Sequence, residues 1–436
     1  MSQLSMNTYD DDIDSGSLMV SLTSSKDARP IPNATVKIYD PSEPESDLSV
    51  LITDSSGQTI SASLPTPKEV LSLSPGIEQP YAEYNLSIEA DGFLPVYIAG
   101  AQLLSDCLSL QSVILTPADQ SVDPISDADR SDESEASPFV TQRIVIPAHT
   151  LFGDYPAKIP EDEIKPMDET GEIVLSQVVI PEYIIVHDGV PEDSTAKNYK
   201  VRYRDYIKNV ACNEIYPTWP ESALYANILA IMSFALNRVY TEWYRNRGYN
   251  FTITSSTAYD HKWVYGRTIF DNIDYLVDSV FANYLSRPGV KQPIFTSYCD
   301  GNRTSCKGMS QWGSKALADQ GYSAIQILRY YYGSDLYINT ATMISGVPSS
   351  YPGYELTIGS TGDKVRQLQT QLNRIGRNYP AIPSLVTDGI YGPKTQASVK
   401  AFQRIFNLPS TGITDYATWY EISEIFVAVS RIAEPS

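Results

Sequence analysis

Cys299 and Cys306 are the closest pair of thiols in the chain, and they flank the polar turn Asp300-Gly301-Asn302-Arg303-Thr304-Ser305. That spacing allows a disulfide-closed loop, two free thiols or two ligands of a metal ion. A metal site draws on about four ligands, and the chain holds only 3 histidines. No metal is therefore assigned. His149 and His187 each stand alone, the usual situation of a structural histidine. Thr218-Trp219-Pro220-Glu221 reads as a capping box, with Thr218 as N-cap, Pro220 in the first turn and Glu221 returning a hydrogen bond. A carboxylate there is favoured in its charged form by the helix dipole.

Helices must position these groups. Leu224, Ile228, Ile231, Ala235, Val239 and Trp243 recur at helical spacing, one face of a long helix that Gly248 can end. Ile269, Ile273, Leu276, Val280 and Tyr284 predict a second helix, stopped by Pro288-Gly289. A third follows Gly308-Met309-Ser310-Gln311-Trp312-Gly313, and a fourth runs from Ser323 to Gly333. The Gly308 to Gly313 run reads as a backbone bending tightly at its glycines, with Met309 and Trp312 as apolar anchors and Gln311 as a two-way amide.

Short alternating runs from Leu18-Met19-Val20-Ser21-Leu22 onward, separated by proline and glycine turns, predict a β-sandwich over 15–118. Residues 1–14 and 119–139 are acidic and polar, a disordered terminus and a linker by composition. The strand-like runs between Val140 and Lys200 read as a β lead-in to a central domain spanning 140–345. Over 351–430, Val365, Leu368, Leu372 and Ile375 mark one helix, Val399, Phe402 and Phe406 a second, and Asp415 caps a third through Trp419 and Ile422. The fold class is thus multidomain α+β: an N-terminal β-sandwich, a central α+β domain and a C-terminal three-helix domain.

A formal net charge of −20 argues against nucleic acid as a partner, since phosphate binding needs a basic surface. No stretch approaches the roughly 20 uninterrupted apolar residues of a membrane span, and Met1 to Asp14 shows neither the basic nor the apolar region of a secretory signal. Nothing in the sequence calls for a cofactor.

Three resemblances add to this. The order Gly359, Gly362, Val365, Leu368-Gln369, Leu372, Gly376, then Asp388-Gly389-Ile390-Tyr391-Gly392 with Thr395, then Val399, Phe402-Gln403, Leu408, Gly412 and Thr418-Trp419, resembles the peptidoglycan-binding three-helix domain, with an insert from Arg377 to Val386. It implies peptidoglycan glycan strands as partner and Asp388, Tyr391, Thr395, Gln403 and Trp419 as binding residues. Pro30-Ile31-Pro32-Asn33-Ala34-Thr35-Val36, Thr53-Asp54-Ser55-Ser56-Gly57, Tyr84-Asn85-Leu86-Ser87-Ile88 and Asp91-Gly92-Phe93 look like the carboxypeptidase-regulatory module, a spacer or adhesive unit.

From Tyr206 to Ile338 the chain resembles the stage II sporulation protein D and amidase-enhancer family. The resemblance rests on Tyr206-Ile207, Glu214, Trp219-Pro220, Ala223-Leu224, Ala226, Tyr265-Gly266, Gly308 to Gly313, Ala318 to Gly321 and Tyr330-Tyr331-Tyr332-Gly333. It implies a lytic transglycosylase of the cell wall or spore envelope. One glutamate protonates the glycosidic oxygen and then, as carboxylate, takes the proton of the sugar's 6-hydroxyl as that oxygen attacks the anomeric carbon. The family's Trp-Pro-x-Glu-Ala-Leu reads here Trp219-Pro220-Glu221-Ser222-Ala223-Leu224, one residue and about 100 degrees of helix rotation out of register. Glu221 is the expected acid, with Glu214 as a second carboxylate, and Met309, Ser310, Gln311 and Trp312 form the turn of the groove. Where metal-binding members carry cysteines and histidines, only His261 remains and Lys262 replaces a cysteine; His261 with Cys299 and Cys306 is the one metal alternative. The other reading of the chain is a non-catalytic wall or spore-layer protein.

Overall fold

The computed structural model describes residues 13–44, 46–118, 141–153, 155–161, 177–347 and 349–430. The acidic N-terminal stretch, save its last two residues, and the linker over 119–139 lie outside them. The protein is a multidomain α+β chain.

Strands β1 (Asp14–Ser24), β2 (Thr35–Tyr39), β3 (Asp47–Ile52), β4 (Ala62–Thr66), β5 (Ala82–Glu89), β6 (Val96–Leu103) and β7 (Leu108–Leu115) build two sheets. In β1, Leu18, Val20 and Leu22 are buried while their neighbours are not, the period-2 alternation of a strand with one face on a core. Val36, Ile38, Leu86, Ile88, Ile98, Val113 and Leu115 meet them. Each such side chain contributes about 1.5–3 kcal/mol of burial.

Two segments read otherwise from the sequence complete these sheets. Strand β8 (Gln142–Val145), taken as a lead-in to the central domain, pairs in parallel with β6, so it extends the sandwich. Ile269–Phe270, taken as the start of a helix, pairs antiparallel with β7. In both cases an open sheet edge offers backbone hydrogen bonds that outweigh local propensity.

The central region holds helices α1 (Tyr203–Glu214), α2 (Glu221–Tyr240), α3 (Asp271–Val280), α4 (Gln311–Asp319) and α5 (Ala324–Tyr332). Among the described residues α2 is the one helix long and apolar enough to cross a membrane, yet 83% of that window is buried within the protein. A helix apolar all round belongs in a core. It ends at Tyr240 rather than Trp243, and Gly248, at φ +84°, closes the following short 3-10 turn. The expected second helix is likewise shorter: α3 stops at Val280, and Tyr284 lies in a strand, Asn283–Ser286, paired with Tyr337–Thr340. Helix α5 has Ser323 as N-cap, in a capping box with Gln326, and Gly333 as C-cap.

Helices α6 (Asp363–Gly376), α7 (Pro393–Ile405) and α8 (Tyr416–Ser430) form the C-terminal domain. Asp415 caps α8 by accepting the Thr418 N–H at 2.9 Å. Helix α8 also lies against α1 and α3 through charged groups. Arg204 pairs with Asp278 and Glu421, each at 2.9 Å, and with Glu424; Lys208 pairs with Asp274 and Asp278, each at 2.8 Å. Burial pushes the Glu421 carboxyl up to about 7. Against the cost of its own burial, Arg204 and Arg202 hold Glu424 down to about 2.

Candidate functional site

Helix α1 ends at Glu214, and this end buries the carboxylate completely, at 0% exposure. One carboxylate oxygen accepts the Lys262 backbone N–H at 3.0 Å. The other accepts the Gln311 Nε2 amide at 3.1 Å, and the same amide reaches the Glu214 carbonyl at 3.0 Å. Gln311 opens α4, where Ser310 is N-cap and accepts the Gly313 N–H at 2.8 Å. The Gly308 to Gly313 run therefore delivers an amide to a buried carboxylate.

Neither Gly308 nor Gly313 has a positive φ, so a tight bend is not what requires them. A Cβ on Gly308 would lie 1.6 Å from the Ser297 carbonyl oxygen, and one on Gly313 2.1 Å from the Tyr331 hydroxyl. Close approach selects glycine at both. Met309 is fully buried, and Trp312 packs on Trp219 at 4.9 Å between ring centroids and on Tyr216 at 6.1 Å.

Polar groups without partners cluster around Glu214. Tyr155 and Tyr298 are buried; the Tyr155 hydroxyl faces the Glu214 carboxylate, the Tyr298 hydroxyl has no partner among the described residues, and burial, with the Glu214 charge next, pushes both up. His261 accepts or donates at Nδ1 with the Tyr206 hydroxyl at 2.9 Å, leaves Nε2 unpaired and stacks on Tyr298 at 5.7 Å. Burial and the nearby Lys158 and Arg238 charges hold its imidazole neutral, well below the usual range. The free Oε1 of Gln311 completes the set. Buried hydroxyl, imidazole and amide groups left unpaired beside a carboxylate are what a polyhydroxylated ligand satisfies.

Glu221 is elsewhere. It is exposed at the first position of α2, whose N-cap is Pro220 with no side-chain bond, and among the described residues it makes no side-chain hydrogen bond or ion pair. The capping box read from the sequence does not form, because Thr218 is engaged by the Ser72 hydroxyl at 2.7 Å and Trp219 donates to the Ser72 carbonyl at 2.9 Å. Glu221→Gln is therefore expected to change stability by no more than about 0.5 kcal/mol, read as a small shift of the thermal midpoint, and any glycan turnover by less than about twofold, within the range of an exposed surface change. A melt and a rate measured side by side check this.

Cys299 and Cys306 form a disulfide, which closes the polar loop and removes the alternative of a metal held by them with His261. Among the described residues no three His, Cys, Asp or Glu side chains converge on a metal position. His149 stacks on Tyr216 at 4.4 Å, and His187 bonds Asn198 and the Val190 carbonyl.

In the C-terminal domain, the residues named from the sequence as binding groups mostly hold the fold. Gln403 accepts the Gly412 N–H at 2.8 Å and donates to the Ile413 carbonyl at 2.9 Å and the Thr418 hydroxyl at 3.1 Å. Gln369 does the same for the other turn, accepting the Gly389 N–H at 2.8 Å and donating to Asp388, Ile390 and Thr395. Tyr391, Thr395, Gln403 and Trp419 are all buried, with Tyr391 donating to the Gly412 carbonyl at 2.9 Å and Trp419 to the Ser349 carbonyl at 3.2 Å. In this conformation their side chains face the interior of the domain. Asp388 alone is exposed, its carboxyl held below the usual range by Gln369 and the Ile390 N–H. The exposed apolar residues Ile358, Val386 and Ile390 lie near the same turn, and sequence patterning missed them because they break no helical or strand period.

This helical arrangement has counterparts. Residues 361–422 match the model of the peptidoglycan binding domain family. The C-terminal helices are a peptidoglycan-binding domain. Over 71 residues the chain is 38% identical to the zinc D-Ala-D-Ala carboxypeptidase of Streptomyces albus G, covering 16% of this chain and 26% of that protein. The chain thus spans about a quarter of that relative's length. Among solved structures, a minor pilin of Streptococcus agalactiae overlaps 26% of this chain and 50% of its own at 14% identity, with a TM-score of 0.18. A membrane-associated protein of Bacteroides fragilis overlaps 25% of this chain and 31% of its own at 15% identity, with a TM-score of 0.15. At such scores neither fixes the fold.

Proposed function

We propose that this is a wall-binding protein whose central domain cleaves peptidoglycan glycan strands as a lytic transglycosylase, with Glu214 rather than Glu221 as the single acid and base. The resemblance of 206–338 to the sporulation family supports the reaction, and a spore envelope is a natural setting for it. The observation that carries the assignment is the Glu214 carboxylate, held at both oxygens by Lys262 N–H and Gln311 Nε2 inside a ring of unpaired polar groups.

As a carboxylic acid, Glu214 gives its proton to the glycosidic oxygen while the bond to the anomeric carbon breaks. The resulting carboxylate takes the proton of the 6-hydroxyl on the same sugar as that oxygen bonds to the anomeric carbon, so an anhydro ring forms and the acid is regenerated. Lys262 N–H and Gln311 orient the group in both states. A pocket closed to solvent favours the sugar's own hydroxyl over water.

The C-terminal domain raises the local concentration of wall polymer around this site. Removing residues 351–436 is expected to lower retention on insoluble peptidoglycan by about 10²-fold or more, the gain that tethering supplies. A pull-down with full-length and truncated chains measures it, and full retention of the truncated chain sinks the anchor. The complete burial of Glu214 favours a second reading, a binding protein without turnover, and digestion of purified glycan strands separates the two: no new ends released by any form of the chain supports it.

A further inference from the structure

Glu214 cannot meet a sugar in this conformation: among the described residues Lys262, Gln311, Tyr206 and Tyr298 lie against it, and so does a stretch of irregular chain. The runs 149–153 and 155–159 pass beside Glu214 without joining any strand ladder. Thr150 N–H donates to the Asn213 carbonyl at 3.2 Å, beside Glu214, and Ile159 N–H donates to the Ala258 carbonyl at 2.8 Å. Between these ends Tyr155 drops its ring into the pocket, and Lys158 sends its ammonium in as well, donating to the Asp260 carbonyl and lying 4.5 Å from the Tyr298 ring centroid. Pro156 and Ala157, between them, face solvent. The stretch thus fills the space that a sugar needs with its own hydroxyl and amine.

The stretch is held down by the buried side chains of His149 and Leu151 at its start and, from there on, by the disulfide-closed loop. Arg303 donates to the Thr150 carbonyl at 2.8 Å, to the Phe152 carbonyl at 3.1 Å and to the Gly153 carbonyl, and Thr304 donates to the Tyr155 carbonyl at 3.0 Å. The loop is itself set: Cys299 and Cys306 close it, and the buried Asp300 carboxylate accepts the Arg303 Nε at 3.0 Å and the Arg303 and Thr304 N–H groups at 3.0 and 2.9 Å. One guanidinium clasping the carbonyls of Thr150, Phe152 and Gly153 is a point fastening, unlike a β ladder, whose bonds are spread along its length. Such an element opens locally while the rest of the fold stays intact.

We infer that residues 149–153 and 155–159 form an autoinhibitory strap over Glu214, latched by Arg303 and Thr304, and that glycan strands gain access only when the latch releases. The inhibitory part rests on the proposed role of Glu214; the closure itself does not.

The test separates the two in the full-length chain. Glu214→Cys places a thiol in the pocket, and its alkylation by iodoacetamide, followed by peptide mass spectrometry, reports access without any turnover. Adding Arg303→Ala is expected to raise the alkylation rate about tenfold or more, the worth of one charge-assisted hydrogen bond. With Glu214 intact, Arg303→Ala is expected to raise the release of anhydro-muramyl ends in step. Thr304→Val, a milder unlatching, gives the same direction if Arg303→Ala melts early, and hydrogen exchange at Phe152 and Gly153 reports the strap directly. Unchanged alkylation in both variants overturns the strap. Faster alkylation with turnover present but not raised overturns the inhibitory role. Faster alkylation with no turnover in any form leaves a lid over a non-catalytic pocket and removes the catalytic reading instead.

Discussion

Glu214→Gln is expected to leave the fold in place and to lower glycan-strand cleavage by about 10²- to 10⁴-fold, the usual contribution of a positioned proton donor and acceptor. The fold should survive because glutamine keeps the shape and can keep both contacts. Its carbonyl oxygen accepts the Lys262 N–H, and a flip of the Gln311 amide turns Oε1, which has no partner among the described residues, toward the new amide at the loss of the Nε2 bond to the residue 214 carbonyl. What glutamine cannot do is give up and recover a proton. A melt unchanged beside a collapsed rate identifies Glu214 as chemical; a melt and rate falling together mark it as a structural carboxylate.

Arg204→Met is expected to cost about 3–5 kcal/mol, because removing one member of a buried ionic set strands the others. Arg204 is 6% exposed and joins α1 to α3 through Asp278 and to α8 through Glu421 and Glu424. Its loss leaves Asp278 with Lys208 and leaves Glu424 with Arg202. Replacing Glu421 and Glu424 by leucine in the same chain should recover most of the loss, since a buried ionic group exchanged whole for apolar volume is often neutral. The same groups set a pH dependence. Glu424, held at about 2 against a reference of 4.5, adds stability above pH 4.5 that is lost as pH falls towards 2. Glu421, raised to about 7, adds stability below pH 4.5 that is lost as pH rises through 7. Denaturant midpoints measured from pH 2 to 8 should therefore peak near pH 4.5 for the wild type, and the peak should flatten when both glutamates become leucine.

The C-terminal domain was legible because its helices carry clean apolar stripes and its turns carry glycines. The roles of its polar residues were not, since Gln369 and Gln403 sit where a binding residue and a turn staple look alike in sequence. Helix α1 escaped notice because its buried face includes Arg204, Lys208 and Asn209, whose burial depends on partners far along the chain. That gap hid the site: without α1 nothing in the sequence buries Glu214, and it stands second to Glu221 beside Pro220. The strap was invisible for the same kind of reason. Nothing in Phe152-Gly153 says that an arginine about 150 residues away holds their carbonyls.

The most direct test of the central claim is mass spectrometry of the ends released from purified glycan strands by the wild type and by Glu214→Gln. Anhydro-muramyl ends from the wild type, lost in Glu214→Gln and retained in Glu221→Gln, are the expected result. Reducing ends from the attack of water, or anhydro ends that persist in Glu214→Gln, would contradict it.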